Sequence, residues 1–414
     1  MLKAGRWTIP TLFLLSLGTT ASADVITDWN EKAVALVTKH RMLPPQAERV
    51  IACMHVAMFD AVNAIDRRYR PYGVSAPAAK DVSKETAAAA AAEGVLARLF
   101  VKDADELRSA LGSHLALIQD GPSKSDGIKL GNEVAAKTLI ARQDDGADAP
   151  DAYRPRTTPG VYVPTPITAS SMWPKVKPFA MTSPSQFRPQ PPLALKSTEW
   201  ATDYNEIKAL GGKTSGQRTA RQTEDATFWL MTGPASYYPL ARQLVSAKKM
   251  NLVESARFMA LVSTAVADSF IAVFDAKYYY EFWRPITAIR NGDNDGNPRT
   301  ERDATWQPID NTPMHPEYPC AHCISSAAVA AVIENVLGSP DIPEVSMTSA
   351  TAPGVTHHWI NVWNYADEVS IARIYAGFHY RFSTEVGKDM GRKIGQLTVA
   401  TQLLGAVAAA QPKP

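Results

Sequence analysis

Three short segments hold the residues best suited to chemistry. Lys277 and Arg284 stand seven positions apart, which at 3.6 residues per turn predicts one shared helix face with about 10 Å between them along the axis. A planar guanidinium fork beside an ammonium point charge suits an oxyanion, although two basic residues on a face are more commonly a solvated stripe. The second segment is Thr312-Pro-Met-His-Pro-Glu-Tyr-Pro-Cys-Ala-His322, where three prolines stiffen the approach to a helix starting near Cys320. Free N–H groups and the dipole at such a helix start favour an anion. His322, in the first turn, can give or accept a proton near neutral pH; its plainer reading is a capping or core histidine. In the third segment Arg373 and His379 lie six positions apart, about 240° around a helix, so they cannot share a face. Gly377 resolves this if it ends the helix, leaving Arg373 in the last turn and swinging His379 back to the same place.

The Cys320-Ala-His-Cys323 element admits other chemistry. Thiol–disulfide oxidoreductases carry Cys-x-x-Cys at a helix start, but after a β-strand, and the residues here are proline-rich. In an oxidising compartment the two cysteines could form a disulfide that stiffens or gates the pocket. Zinc held by Cys320, Cys323, His315 and His322 would need four ligands crowded into nine residues, poor geometry for a tetrahedron. Asn291 to Gly296 looks like a calcium loop, yet its twelfth position is Arg302 in place of a bidentate Glu. A plain turn is the better reading there.

The elements that must position these groups read as helices. The longest is expected from Leu252 to Trp283, because Pro285 disfavours the α conformation at Arg284. Others are expected over His322–Leu337, with Gly338 as C-cap, and Val362–Ala376, ended by Gly377. Upstream, apolar residues recur at helical spacing from Thr27 to Asn63, and Val50 to Phe59 is apolar nearly all round, which predicts burial. Lys84–Val101 is dominated by alanine; Ala104–Ile118 and Gly127–Ala141 follow. Between Pro150 and Lys196 fall 11 of the 30 prolines, which predicts an irregular segment wrapping the surface and lining a pocket mouth. Helical patterns resume at Trp200 and from Arg218 to Leu230. No alternating strand pattern and no repeat is evident, so the fold class is all-α.

Lys3, Arg6, the apolar run Ile9–Leu17 and Ala21-Ser22-Ala23 read as a cleaved signal peptide, implying a periplasmic or secreted protein. Residues 24–149 then form an N-terminal helical region, 150–196 the proline-rich segment and 197–408 a C-terminal helical domain. No later stretch is expected to span a membrane; the best candidate, Phe258–Phe274, contains Asp268. The formal charge of +2 argues against a nucleic-acid partner held by bulk electrostatics, so any anion site must be local. Three cysteines are too few for a disulfide framework.

Taken together, the three segments resemble the vanadium-dependent haloperoxidases and their relatives, the bacterial acid and type-2 phosphatidic acid phosphatases. Members are marked by Lys, six residues, Arg-Pro; by Pro-Ser-Gly-His; and by Arg, five residues, His. Lys277 to Arg284-Pro285 and Arg373 to His379 match in type and spacing, and His322 matches the middle histidine. The likeness extends to Phe282-Trp-Arg-Pro-Ile-Thr-Ala-Ile-Arg290, His315-Pro-Glu-Tyr-Pro319 and, more faintly, Met58 to Asp66. It implies helical bundles with the anion pocket in the C-terminal bundle. It also implies vanadate as cofactor, with His379 as its only protein ligand and Lys277, Arg284 and Arg373 neutralising its oxygens. His322 would be the acid/base, and Phe274 and His315 would be pocket residues. Hydrogen peroxide, a halide and a small organic acceptor would be the partners, and His315 resembles the bromide-oxidising branch. In the phosphatases the position of His379 is the nucleophile on a phosphate ester and that of His322 protonates the leaving alcohol; a member that only binds oxyanions is a third outcome. Cys320 and Ala321 stand where the family has Ser and Gly among its oxyanion contacts. A thiol is a weaker donor than a hydroxyl, and Ala321 adds a Cβ.

Overall fold

The computed structural model describes residues 24–406 except 165; the expected signal peptide lies outside the described residues. In its first part α1 (Val25–Lys39), α2 (Pro44–Asp66), α3 (Lys84–Leu99), α4 (Ala104–Leu115) and α5 (Pro122–Ala141) pack together. The irregular segment follows, with one short 3-10 turn at Trp173–Lys175, and then α6 (Thr198–Leu210), α7 (Ala220–Phe228), α8 (Tyr238–Ala247), α9 (Leu252–Tyr280) and α10 (Pro285–Arg290). The chain ends with α11 (Ala321–Leu337), a hairpin of β1 (Asp341–Ser349) and β2 (Ala352–Asn361), α12 (Val362–Tyr375) and α13 (Arg381–Thr401).

The apolar pattern explains the centre. α9 is long and apolar enough to cross a membrane, yet it is buried inside the protein, packed against α2 on one side and α11 and α13 on another. Its start is set by a capping box, Asn251 accepting from the Glu254 amide and the Glu254 side chain accepting from the Asn251 amide. Asp268 in its middle accepts from the amides of Phe179, Ala180 and Met181 at 2.6, 2.8 and 2.8 Å. Burial pushes that carboxyl up to about 6, and three amide donors offset the cost of placing it there. The irregular segment is thereby tied to the central helix.

Two expectations need correction. α9 stops at Tyr280, and not at Trp283, because Glu281 takes a left-handed conformation with φ 49°. Lys277 and Arg284 therefore do not share one helix face: Arg284, extended at φ −76°, ψ 154°, is the N-cap of α10. Strands are also present. β1 and β2 pair antiparallel, with a register irregularity between Asp341 and Val345, where Pro343 interrupts the pattern as proline does at strand edges and bulges.

α11 and α13 come into close contact along their length. Gly387, Gly391 and Gly395 recur every fourth residue on α13, and a Cβ on them would lie 2.8, 2.0 and 2.6 Å from the carbonyls of Cys320, Ile324 and Ala328. Only glycine permits that approach, which fixes the N-terminus of α11 beneath the segment that follows α12.

Candidate active site

A cavity of about 300 Å³ opens between α9, α11, the end of α12 and the irregular segment, and its walls include Phe274, His315, Ala321, His322, Arg373 and His379. Ala169 and Ser170 stand at it as well, so the irregular segment does contribute to its lining. Lys277 and Arg284 are not in the wall; they join the group from behind, through the residues described next.

The backbone delivers His379 as the spacing required. α12 ends at Tyr375 with Arg373 in its last turn. Gly377 at φ +78° then reverses the chain, and the amides of Phe378 and His379 bond back to the Arg373 carbonyl at 3.1 and 3.4 Å. A side chain could not stand at position 377, since its Cβ would lie 2.4 Å from the Gly211 carbonyl.

His379 is oriented from behind. Its Nδ1 lies 2.8 Å from Glu317 Oε1, which also accepts from the Tyr380 amide at 3.2 Å. A carboxylate only accepts, so Nδ1 carries the proton and Nε2 presents its lone pair. The Arg284 NH1 group donates to that Nε2 at 3.3 Å, which agrees with the same tautomer. Burial, then the Arg284 and Lys277 charges, hold His379 well below the ordinary histidine range, so the imidazole is neutral.

Three cations act on His379 through their charges, each at most 1% exposed. Lys277 Nζ donates to the carbonyls of Pro316 and Glu317 at 2.9 and 2.7 Å. Arg284 donates to the carbonyls of His315 and Phe378 at 2.9 and 3.0 Å and to His315 Nδ1 at 2.9 Å. Arg373 donates to the Trp229 carbonyl, while its buried Nε has no partner. Burial lowers all three: Arg373 falls to about 9, Arg284 to about 10 and Lys277 well below its ordinary value.

Set against the fully buried Glu317, which burial pushes up to about 7, the cluster carries an excess of positive charge that a buried site tolerates only with a compensating anion. The unpartnered Arg373 Nε and the N-terminus of α11 point to the same kind of ligand.

Comparison with known proteins bears on the fold that carries this arrangement. The chain superposes on the crystal structure of the first bacterial vanadium-dependent iodoperoxidase with a TM-score of 0.80, at 24% identity, covering 93% of this chain and 98% of that one. The chain carries the vanadium haloperoxidase fold. Residues 257–404 match the family model of the VCPO second helical-bundle domain, a stretch that includes Lys277, Arg284, His322, Arg373 and His379. A holo-type bacterial vanadium-dependent chloroperoxidase superposes with a TM-score of 0.68 at 17% identity, covering 86% of this chain and 92% of that one. The vanadium chloroperoxidase of Curvularia inaequalis is 22% identical over 84% of this chain and 76% of its own length.

Within the haloperoxidase fold the middle segment differs from expectation. Cys320 offers no thiol to an oxyanion, because its sulfur is bonded to that of Cys323, and a disulfide sulfur has no hydrogen to donate. The Cys320 sulfur instead accepts from the Cys323 amide at 3.3 Å and caps α11. The bond equally removes the two thiolates that zinc would need. Ala321 keeps its place in the cavity wall.

His322, half-buried, donates through Nε2 to the Met231 carbonyl at 3.0 Å, which leaves Nδ1 as its proton acceptor. Burial and the Arg373 charge keep it neutral as well. His315 sits against Phe274, ring centroids 5.2 Å apart. Glu317 and Trp229 were not singled out by sequence. The signal for Glu317 was an acidic residue set among three prolines inside a cationic constellation; Trp229 acts through its backbone carbonyl, which no side-chain pattern announces.

Proposed function

We propose that the cavity binds vanadate at His379 Nε2 and that the protein is a haloperoxidase, oxidising bromide more readily than chloride with hydrogen peroxide. The observation that carries the proposal is the His379–Glu317 pair, which presents a neutral nitrogen lone pair at a pocket walled in part by Arg373 and backed by the buried Lys277 and Arg284. Lys277, Arg284 and Arg373 neutralise the oxyanion, whose charge in turn stabilises them. When bound, vanadate supplies a Lewis acid that activates peroxide for two-electron transfer. Overall, halide, peroxide and one proton give hypohalous acid and water, and His322 moves that proton through Nδ1, a role supported by its Nε2 being taken up by the Met231 carbonyl. The hypohalous acid then halogenates a small organic acceptor. His315, held between Arg284 and Phe274, supports bromide as the substrate. The buried disulfide supports export to an oxidising compartment.

Bromination of a dye with peroxide, in parallel with hydrolysis of a phosphate monoester, tests the reading. Bromination should require added vanadate and vanish in His379→Ala. Hydrolysis inhibited by vanadate, with no bromination, would instead make His379 a phosphoryl-transfer nucleophile.

A further inference from the structure

Beside Trp229, and apart from the residues that line the cavity, α7, β2 and α12 bring Glu224, Asp225, His357 and Glu368 together. The His357 ring lies flat on Phe228, centroids 4.0 Å apart and 3° from parallel, and is 2% exposed. Its Nδ1 is 2.5 Å from Glu368 Oε1. Glu368 is fixed in turn, accepting from the indole nitrogens of Trp229 at 3.0 Å and Trp359 at 3.1 Å.

Because a carboxylate accepts, Nδ1 holds the proton and Nε2 of the neutral ring is a lone pair. That Nε2 is buried without a hydrogen-bond partner. It faces two further acceptors, Glu224 Oε1 at 3.7 Å and Asp225 Oδ1 at 3.9 Å, and all three ligand atoms lie within 4.8 Å of one another. Three electron-rich atoms converging on one point repel unless a cation lies among them.

Arg221 reaches the two carboxylates, Nε 2.9 Å from Asp225 Oδ1 and NH1 2.8 Å from Glu224 Oε1. It leaves His357 Nε2 unserved, and its side chain is 61% exposed, free to swing out.

We propose that Glu224, Asp225 and His357 form a binding site for a zinc-class divalent cation, with Glu368 as the carboxylate that orients the histidine. Zinc bonds of about 2.0 to 2.1 Å in a tetrahedron set neighbouring ligands about 3.3 Å apart, so the two carboxylate oxygens at 3.7 and 3.9 Å must each move closer to His357 Nε2 by about half an ångström. An imidazole nitrogen with two carboxylate oxygens suits zinc better than magnesium or calcium, which take all-oxygen shells. The carboxylate–histidine arrangement is the usual support for such an ion. Bound there, the ion joins β2 directly to α7 and, through Glu368, to α12. Trp229 directly follows α7 and accepts from Arg373, so the ion would lock the corner behind that arginine without touching the cavity. The alternative occupant of Nε2 is a proton, giving an imidazolium paired with both carboxylates.

The test is calorimetric titration of the chelator-stripped full-length protein with Zn²⁺, together with absorption spectroscopy of a Co²⁺ titration. One equivalent should bind, with Co²⁺ giving the intense visible bands of tetrahedral coordination. Affinity should fall about tenfold or more in Glu224→Gln, whose half-exposed position spares the fold, and by about 10- to 100-fold in Glu368→Gln. Arg221→Ala should tighten binding by freeing both carboxylates. No binding by the wild type, or equal binding by wild type and Glu224→Gln, would overturn the site and leave the proton as the occupant.

Discussion

Glu317 determines which nitrogen of His379 meets the cavity, because it accepts the Nδ1–H hydrogen bond and so keeps the proton on Nδ1, leaving Nε2 as the lone-pair nitrogen. Glu317→Gln keeps the shape but presents a neutral amide, a poorer acceptor. Vanadate affinity should then drop about 10- to 100-fold, as for other outer-shell partners of a ligating histidine; equal affinity by calorimetry would remove Glu317 from the account. The cations predict a pH dependence of definite sign. In the free protein burial depresses Arg373 to about 9 and Lys277 well below its usual value. An anion favours their charged forms and raises those values, so binding takes up protons and affinity is lost as pH rises through about 9. Titrations from pH 7 to 10, corrected for the anion's own protonation, should show that decline; affinity rising over the same range would contradict it. The site's side chains were legible at this scale because type and spacing mark Lys277, Arg284, His322, Arg373 and His379. Trp229 was not, because it contributes a carbonyl.

Among the elements, the turn after α12 has the least freedom. Gly377 combines positive φ with a backbone neighbour that a Cβ would strike, so Gly377→Ala should cost more than about 1 kcal/mol. Thermal unfolding should show a lower Tm together with weakened anion binding; an unchanged Tm would mean that the turn relaxes freely. At the start of α11 the Cys320–Cys323 bond should leave one titratable thiol, Cys53, when the unreduced protein is denatured. Three thiols would contradict the disulfide. Most helices were readable from apolar periodicity and caps. The end of α9 was not, because a left-handed Glu281 is set by tertiary contacts, among them its carbonyl accepting from the Tyr162 amide. The hairpin was missed because Pro343, Pro353 and Gly354 obscure an alternation that survives in the burial of Ile342, Val345, Met347 and Ser349.

Across the whole molecule, a chain of nearly balanced charge concentrates three cations at one buried point. The apolar central helix α9 ends beside that point, carrying Lys277 in its last turn. The irregular segment, tied to α9 through Asp268, closes over the cavity. The likeness to haloperoxidases was legible from three motifs, whereas the contribution of the proline-rich stretch could be placed only once its amides were seen to bond to α9. The central claim is that this assembly holds vanadate through His379. Vanadium-51 NMR of the protein titrated with vanadate tests it most directly. The account predicts a bound resonance saturating at one equivalent, displaced by excess phosphate and absent in His379→Ala. A bound resonance that persists unchanged in His379→Ala would contradict it.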